Sequence, residues 1–217
     1  MHKRRILASV GLAAVLAFPL AACSSSGSDK GSDKGSDKKT SAQAEPKKSA
    51  TDTDASKPFG AACSQIPTDP SNPGSAAAMA KAPVATAASG NPLLKQLVGA
   101  VKKENLVDTL NGAPKLTVFA PIDDAFAKIP AKTMKSMSDK QLADILKLHV
   151  LGERIGPDQI AGEHKTLNGG SITVSGSGDK FTVEGAGNKE PASVVCGNVQ
   201  TSNATVYLID TVLMPAS

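Results

Sequence analysis

Apolar residues recur at helical spacing around residue 97, where Leu93, Leu94, Leu97, Val98 and Val101 form one stripe. Asn91-Pro92 stands before them as a cap and a first-turn proline, so a helix is expected to open there. A shorter apolar turn through Leu106, Val107 and Leu110 ends at the turn pair Asn111-Gly112. A second long helix is expected over residues 138–148. Ser138 and Gln141 have the spacing of a capping box, and Leu142, Ile145, Leu146 and His149 share a face. Residues 115–120 are β-branched and aromatic and read as a strand stopped by Pro121. Asp123 is then the expected cap of a helix carrying Phe126 and Ile129. Ahead of all these, residues 64–90 are Ala-rich helical pieces broken at Pro67, Pro70, Pro73, Pro83 and Gly90.

Beyond His149 the period falls to two. Alternating runs at 165–167, 171–175 and 181–184 are separated by glycine-rich turns, and further strands are expected at 194–196 and 205–210. In the last, Val206 and Leu208 alternate with Tyr207 and Ile209, so it is apolar on both faces and belongs at the centre of a sheet. Asp210, just after it, is placed to accept backbone N–H bonds at a turn. Helices followed by a meandering antiparallel sheet predict an α+β fold, a single domain over residues 58–217 with the helices N-terminal to the sheet.

Residues 24–57 have neither period. They contain no Leu, Ile, Val or Phe, and Gly-Ser-Asp-Lys occurs three times between Gly27 and Lys38. Nothing there offsets the entropy of ordering a chain, so residues 23–57 are expected to form a disordered linker headed by Cys23. A flexible coil of this length reaches about 30–35 Å, and full extension about 110 Å. Thr40, Thr51 and Thr53 are candidate glycan sites on it.

At the start, Lys3, Arg4 and Arg5 precede an uncharged run over 6–20. As a helix that run rises about 22 Å, short of the roughly 30 Å of a membrane's hydrocarbon core. Leu20-Ala21-Ala22-Cys23 fits the bacterial lipobox, in which only a thiol accepts the diacylglyceryl group. Residues 1–22 are therefore expected to be a lipoprotein signal peptide and Cys23 the lipid attachment site, the alternative being an ordinary signal peptide with an incidental cysteine. A protein so anchored sits at the cell membrane on its extracellular face, with some of it released.

Charge and cysteine content narrow the functions. The net charge of +4 includes three leader cations, while residues 58–217 hold 14 cations against 14 acids. A neutral head with no Trp and only Tyr207 argues against nucleic-acid binding. Once Cys23 is acylated, Cys63 and Cys196 remain, and in an exported chain such a pair is expected to form a disulfide, with two free thiols the alternative. The sequence has no metal-ligand spacing, nucleophile elbow or phosphate loop, and Asp123-Asp124 is better explained as helix capping than as a catalytic pair. No catalytic residue, metal or cofactor is expected, and the chain does not read as an enzyme. His149 ends an apolar helix face, where a neutral ring bonds a buried carbonyl or, with Leu148, contacts a partner. His164 is expected in a solvated turn over 162–165.

Two segments resemble a known signature. Thr117-Val118-Phe119-Ala120-Pro121-Ile122-Asp123-Asp124-Ala125-Phe126 is similar to the first box of the fasciclin domain. Thr205-Val206-Tyr207-Leu208-Ile209-Asp210-Thr211-Val212-Leu213-Met214-Pro215 is similar to its second, and Leu148-His149-Val150 takes the place of the family's Tyr-His motif. Asn105 to Leu110, Val194-Val195-Cys196-Gly197 and Ala204-Thr205-Val206-Tyr207 resemble the mycobacterial secreted and lipidated surface antigens of that family, as does Cys63 ahead of the first helix. The resemblance implies a wedge-shaped sheet packed with helices and a role in adhesion or contact with an extracellular protein, matrix or cell-wall ligand. Leu148 in place of Tyr and Ser193 in place of an integrin-motif Asp mean that integrin-type recognition does not carry over. The alternative is a carrier of a lipid or other apolar ligand, which an apolar pocket of several hundred Å³ would favour over adhesion. A monomer is expected, and the Asn203-Ala204-Thr205 sequon is read as chance.

Overall fold

The structure, a computed structural model, describes residues 57–216, and the leader, Cys23 and the linker up to residue 56 lie outside the described residues. A 3-10 turn at Ala61–Gln65 is followed by four short helices, α1 Ala76–Met79, α2 Val84–Gly90, α3 Lys95–Lys103 and α4 Val107–Gly112. Strand β1, Leu116–Pro121, leads to α5 Asp123–Ala127, α6 Ala131–Ser136 and α7 Asp139–Leu148. The rest is sheet: β2 Val150–Leu151, β3 Gly162–Lys165, β4 Ser171–Ser177, β5 Lys180–Gly185, β6 Ala192–Gln200 and β7 Ala204–Ile209. No helix among the described residues is long and apolar enough to cross a membrane.

The strands form one seven-stranded sheet in the order β2-β1-β7-β6-β5-β4-β3. The α+β reading holds, with one correction to the antiparallel expectation: β1 and β7 run parallel, paired residue for residue from Leu116↔Ala204 to Pro121↔Ile209. Both strands are buried along their whole length. Period two sends Val118, Val206 and Leu208 to one side, against Leu97 and Val101 of α3. Phe119, Tyr207 and Ile209 go to the other, against Val174, Phe181 and Val183. The Tyr207 ring stacks on Phe119 at 5.6 Å, and its hydroxyl donates to the Ile155 carbonyl at 3.1 Å. Burial of that hydroxyl holds its pKa well above the ordinary tyrosine value.

The capping box of α7 is present as expected: Ser138 Oγ accepts the Gln141 N–H, and the Gln141 side chain accepts the Ser138 N–H. Other boundaries move. Asn91 does not cap α3, which opens at Lys95; Asn91 is buried at the end of α2, where its side chain accepts the Leu93 N–H at 3.0 Å. Asp123 does not cap α5 either. It is the first residue of that helix, and its carboxylate accepts the Gln96 N–H at 2.8 Å, satisfying the N-terminus of α3 instead. Ile129 falls beyond the end of α5. The strand expected at 165–167 lies at Gly162–Lys165, so His164 is in a strand rather than a turn, with Nε2 2.8 Å from the Ile160 carbonyl oxygen. Asp210 accepts a backbone N–H, from Ser193 of the neighbouring strand at 2.8 Å, and its other oxygen meets Lys128 at 3.2 Å. Partial burial raises its pKa, but these bonds outweigh it and hold the carboxyl below the ordinary aspartate value.

The N-terminal segment is strapped to β6. Phe59 exchanges both backbone hydrogen bonds with Gly197, 3.1 and 2.7 Å, and a Cβ at residue 197 would overlap the Phe59 ring. Beside this bridge Cys63 and Cys196 form the expected disulfide, with Cα atoms 5.0 Å apart. The strand is irregular here, its register shifting between Val194 and Val199, with Asn198 at φ 59.

His149 ties the end of α7 to the C-terminal segment. Its Nε2 accepts the Leu213 N–H at 2.9 Å, which assigns the proton to Nδ1, 2.7 Å from the Ile145 carbonyl oxygen. The ring is 2 % exposed, and burial pushes its pKa down to about 4, against the opposing pull of the Ile145 carbonyl.

Two predictions rest on these ties. The disulfide closes a loop with a sequence separation of 133 residues. The chain-entropy relation puts its stabilisation at up to about 5 kcal/mol. The chain from Ser24 onward should titrate no free thiol, and reduction should lower the denaturant midpoint; an unchanged midpoint would remove the staple's role. The second concerns pH. Folded His149 titrates near 4 and an unfolded histidine near 6.5, so its contribution is complete above pH 6.5 and is lost as pH falls towards 4. Between pH 7.5 and 4.5 stability should drop by roughly 2–3 kcal/mol. A His149→Leu variant, weaker overall, should lack that slope in urea unfolding. Equal slopes in both proteins would place the acid sensitivity elsewhere.

Candidate functional site

Three short helices and the sheet border an open apolar pocket of about 280 Å³. Its walls come from α2, α3 and α4, from Val118 and Phe119 of β1, and from the end of α7 running into β2. Leu97, Val98 and Val101 supply the α3 wall, and Leu106, Val107 and Leu110 the α4 wall. These are the apolar stripes of the sequence. Part of each faces the sheet as core, and the rest faces this opening. At the mouth stands Leu167, 45 % exposed, which with Met134 at 39 % is one of the exposed large hydrophobic side chains among the described residues.

The polar groups that line the pocket are largely committed elsewhere. Both nitrogens of His149 are bonded within the chain, and Ser89 Oγ donates to the Ala85 carbonyl at 2.9 Å. Thr109 is exposed. Lys147 is half-buried and is the charged side chain of the lining. The interior thus asks for no hydrogen bond from an occupant, and the matching chemistry is a hydrocarbon.

The frame of the pocket is polar. Asn203, 8 % exposed, accepts the Val84 N–H at the start of α2 through Oδ1 and donates through Nδ2 to the Leu110 and Ala113 carbonyls at the end of α4, both at 2.8 Å. Asn111 Oδ1 accepts the next free N–H of α2, from Ala85, at 3.0 Å. Asn203 is therefore a buried brace between helices, a role that the Asn-x-Thr pattern around it did not reveal. A buried asparagine bonded to segments some 90 and 119 residues away has no local sequence signal.

The structure places Leu148 and His149 in the interior, both 2 % exposed. His149 lines the pocket but presents no free nitrogen to it, and Leu148 packs with Phe119 and Ile172 on the far side of the sheet. Ser193 is exposed on β6. Among the described residues no group of three His, Cys, Asp or Glu side chains is placed to hold a metal ion.

The chain is similar in sequence to known proteins. The fasciclin domain family model matches residues 92–215. The cell surface glycolipoprotein MPB83 of Mycobacterium bovis is 44 % identical over 216 residues, covering 96 % of this chain and 94 % of that protein. The immunogenic protein MPB70 of the same species is 45 % identical over 154 residues, 68 % of this chain and 76 % of its own length. A Synechocystis protein, sll1483, is 37 % identical over 133 residues, 59 % of this chain and 71 % of its own. Among solved structures, a FAS1 domain pair from the insect cell adhesion molecule fasciclin I has a TM-score of 0.48 and 24 % identity, over 57 % of this chain and 45 % of that one. The family match spans more than half of the chain, with both boxes, the paired central strands and the helices α3 and α4 ahead of them, and the chain belongs to the fasciclin-domain family.

Proposed function

We propose that this protein is a lipid-tethered domain on the outer face of the cell that captures an apolar group in the pocket between α2, α3, α4 and the sheet. The observation that carries this is the pocket itself. It is an opening of about 280 Å³ walled largely by Val and Leu, the apolar lining that a ligand pocket requires. An enclosed apolar cavity of about 150 Å³ already takes up benzene. The exterior offers less for a partner to hold: large exposed apolar side chains are sparse among the described residues, and the head is neutral.

Location at the surface rests on the leader, the lipobox cysteine and the linker, and is supported by relatives whose printed names place them at the cell surface as glycolipoproteins. No catalytic role is proposed. Adhesion is the second reading, favoured by membership of the fasciclin family, and in it an exposed face would make the contact.

Two measurements test the proposal. Cys23→Ser should move the protein from the membrane pellet to the soluble fraction; retention in the pellet would remove the lipid anchor. The chain from Ser24 onward should raise the fluorescence of the neutral dye N-phenyl-1-naphthylamine saturably, with one dye per chain. Val98→Trp, which fills the pocket from a half-buried position, should weaken that binding at least tenfold while shifting the melting temperature by only a few degrees. Equal dye binding by the filled variant would leave the outer surface as the site of contact.

A further inference from the structure

We infer that the pocket selects a single-chain anionic amphiphile, with a hydrocarbon tail of about ten carbons in the interior and a carboxylate or phosphate head paired with Lys147. This rests on the reading of the pocket as a ligand site and adds the class of ligand.

The size of the tail follows from the volume. If about 150 Å³ of apolar cavity holds the six carbons of benzene, the 280 Å³ here holds just under twice that, roughly ten or eleven carbons of one chain. A second chain of comparable length does not fit. The polarity of the tail follows from the lining. The His149 nitrogens and the Ser89 hydroxyl already have their hydrogen bonds within the protein, so a polar tail would lose its water and gain no partner.

The head group follows from charge. Lys147 is the charged residue of the lining, it is half-buried, and its ammonium has neither an ion pair nor a hydrogen bond among the described residues. A lysine in that situation lays its methylene stem along apolar surface and keeps its charge at the water boundary. Lys103 and Lys128, by contrast, each have a carboxylate within 3.2 Å. The pocket thus combines a hydrocarbon wall with an uncompensated cation, and the exposed Leu167 continues the apolar surface to the mouth. That arrangement matches an acyl chain ending in an anion, and disfavours a neutral sterol-like body or a cationic amphiphile.

The test is calorimetric titration of the delipidated chain from Ser24 onward with decanoate, decyl phosphate, decan-1-ol and decylamine, each below its critical micelle concentration. Decanoate and decyl phosphate should bind one to one, about fivefold more tightly than decan-1-ol, with decylamine weakest. Lys147→Met keeps the stem and removes the charge, so it should bring the two anions down to the affinity of the alcohol while leaving the alcohol unchanged. Carboxylates from six to fourteen carbons should gain about fourfold per methylene and level off near ten.

If the Lys147→Met protein keeps the full preference for anions, the pairing with Lys147 is wrong. The pocket reading then stands, provided that Val98→Trp weakens binding of the alcohol at least tenfold. If affinity climbs to fourteen carbons without levelling, the single-tail fit is wrong. If the wild-type chain binds none of the four compounds, this inference and the pocket reading fail together.

Discussion

The parallel pairing of β1 with β7 is the constraint on which the remainder of the molecule depends. Antiparallel strands can be joined by a two-residue turn, but parallel neighbours require a crossover, and here the crossover is everything between Pro121 and Ala204. Because both strands are buried along their whole length, they are apolar apart from the buried threonines Thr117 and Thr205, and each divides the interior in two. On one side the helices α2 and α3 lie against Val118, Val206 and Leu208. On the other, the β4–β5 hairpin closes over Phe119, Tyr207 and Ile209. The two fasciclin boxes are thus one structural feature seen twice along the chain, and the hydrogen bonds between them join residues some 88 positions apart.

That arrangement explains what was legible in the sequence. The all-apolar run at 206–209 announced a central strand because burial on both faces leaves no polar alternation. The capping box at Ser138 and Gln141 announced α7 because its partners lie three residues apart. Interactions closing over long distances were not legible. Asp123 stands where a local cap would stand, but its carboxylate serves the N-terminus of α3, 27 positions away in the chain. Asn91-Pro92 has the composition of a helix opening, yet α2 extends to Gly90 and Asn91 is drawn into the interior beside Met79. The two-residue strand β2 has no pattern of its own and exists because β1 offers it an edge. The apolar stripes of α3 and α4 were visible, but a stripe does not say whether another element will cover it.

The pocket exists for a related reason. Helices α2, α3 and α4 have seven, nine and six residues, well below the length at which a helix holds itself together in water. Such segments ordinarily depend on packing their apolar faces. Here much of the positioning comes from hydrogen bonds at their ends: Asn203 and Asn111 at α2, Asn203 at the end of α4, and Asp123 at α3. With the ends fixed by polar contacts from outside, the apolar faces between them need not close on one another. Space is left where Leu97, Val98, Val101, Leu106, Val107 and Leu110 look across at β1 and α7.

The same geometry couples occupancy to stability. Leu97, Val101 and Val118 belong to the pocket wall and to the buried cluster between helices and sheet, so the site is a part of the core that was never filled. Any molecule that enters binds the folded chain alone, and favours it by an amount that grows with the logarithm of its concentration over its dissociation constant. Substitutions along the wall therefore act on two equilibria together, and a loss of binding at Leu97 or Val101 cannot be separated from a loss of packing. Lys147 is different. It is half-buried, lies outside the apolar cluster, and forms no bond that folding requires, so its charge acts on whatever occupies the mouth of the pocket while leaving the frame beneath it intact.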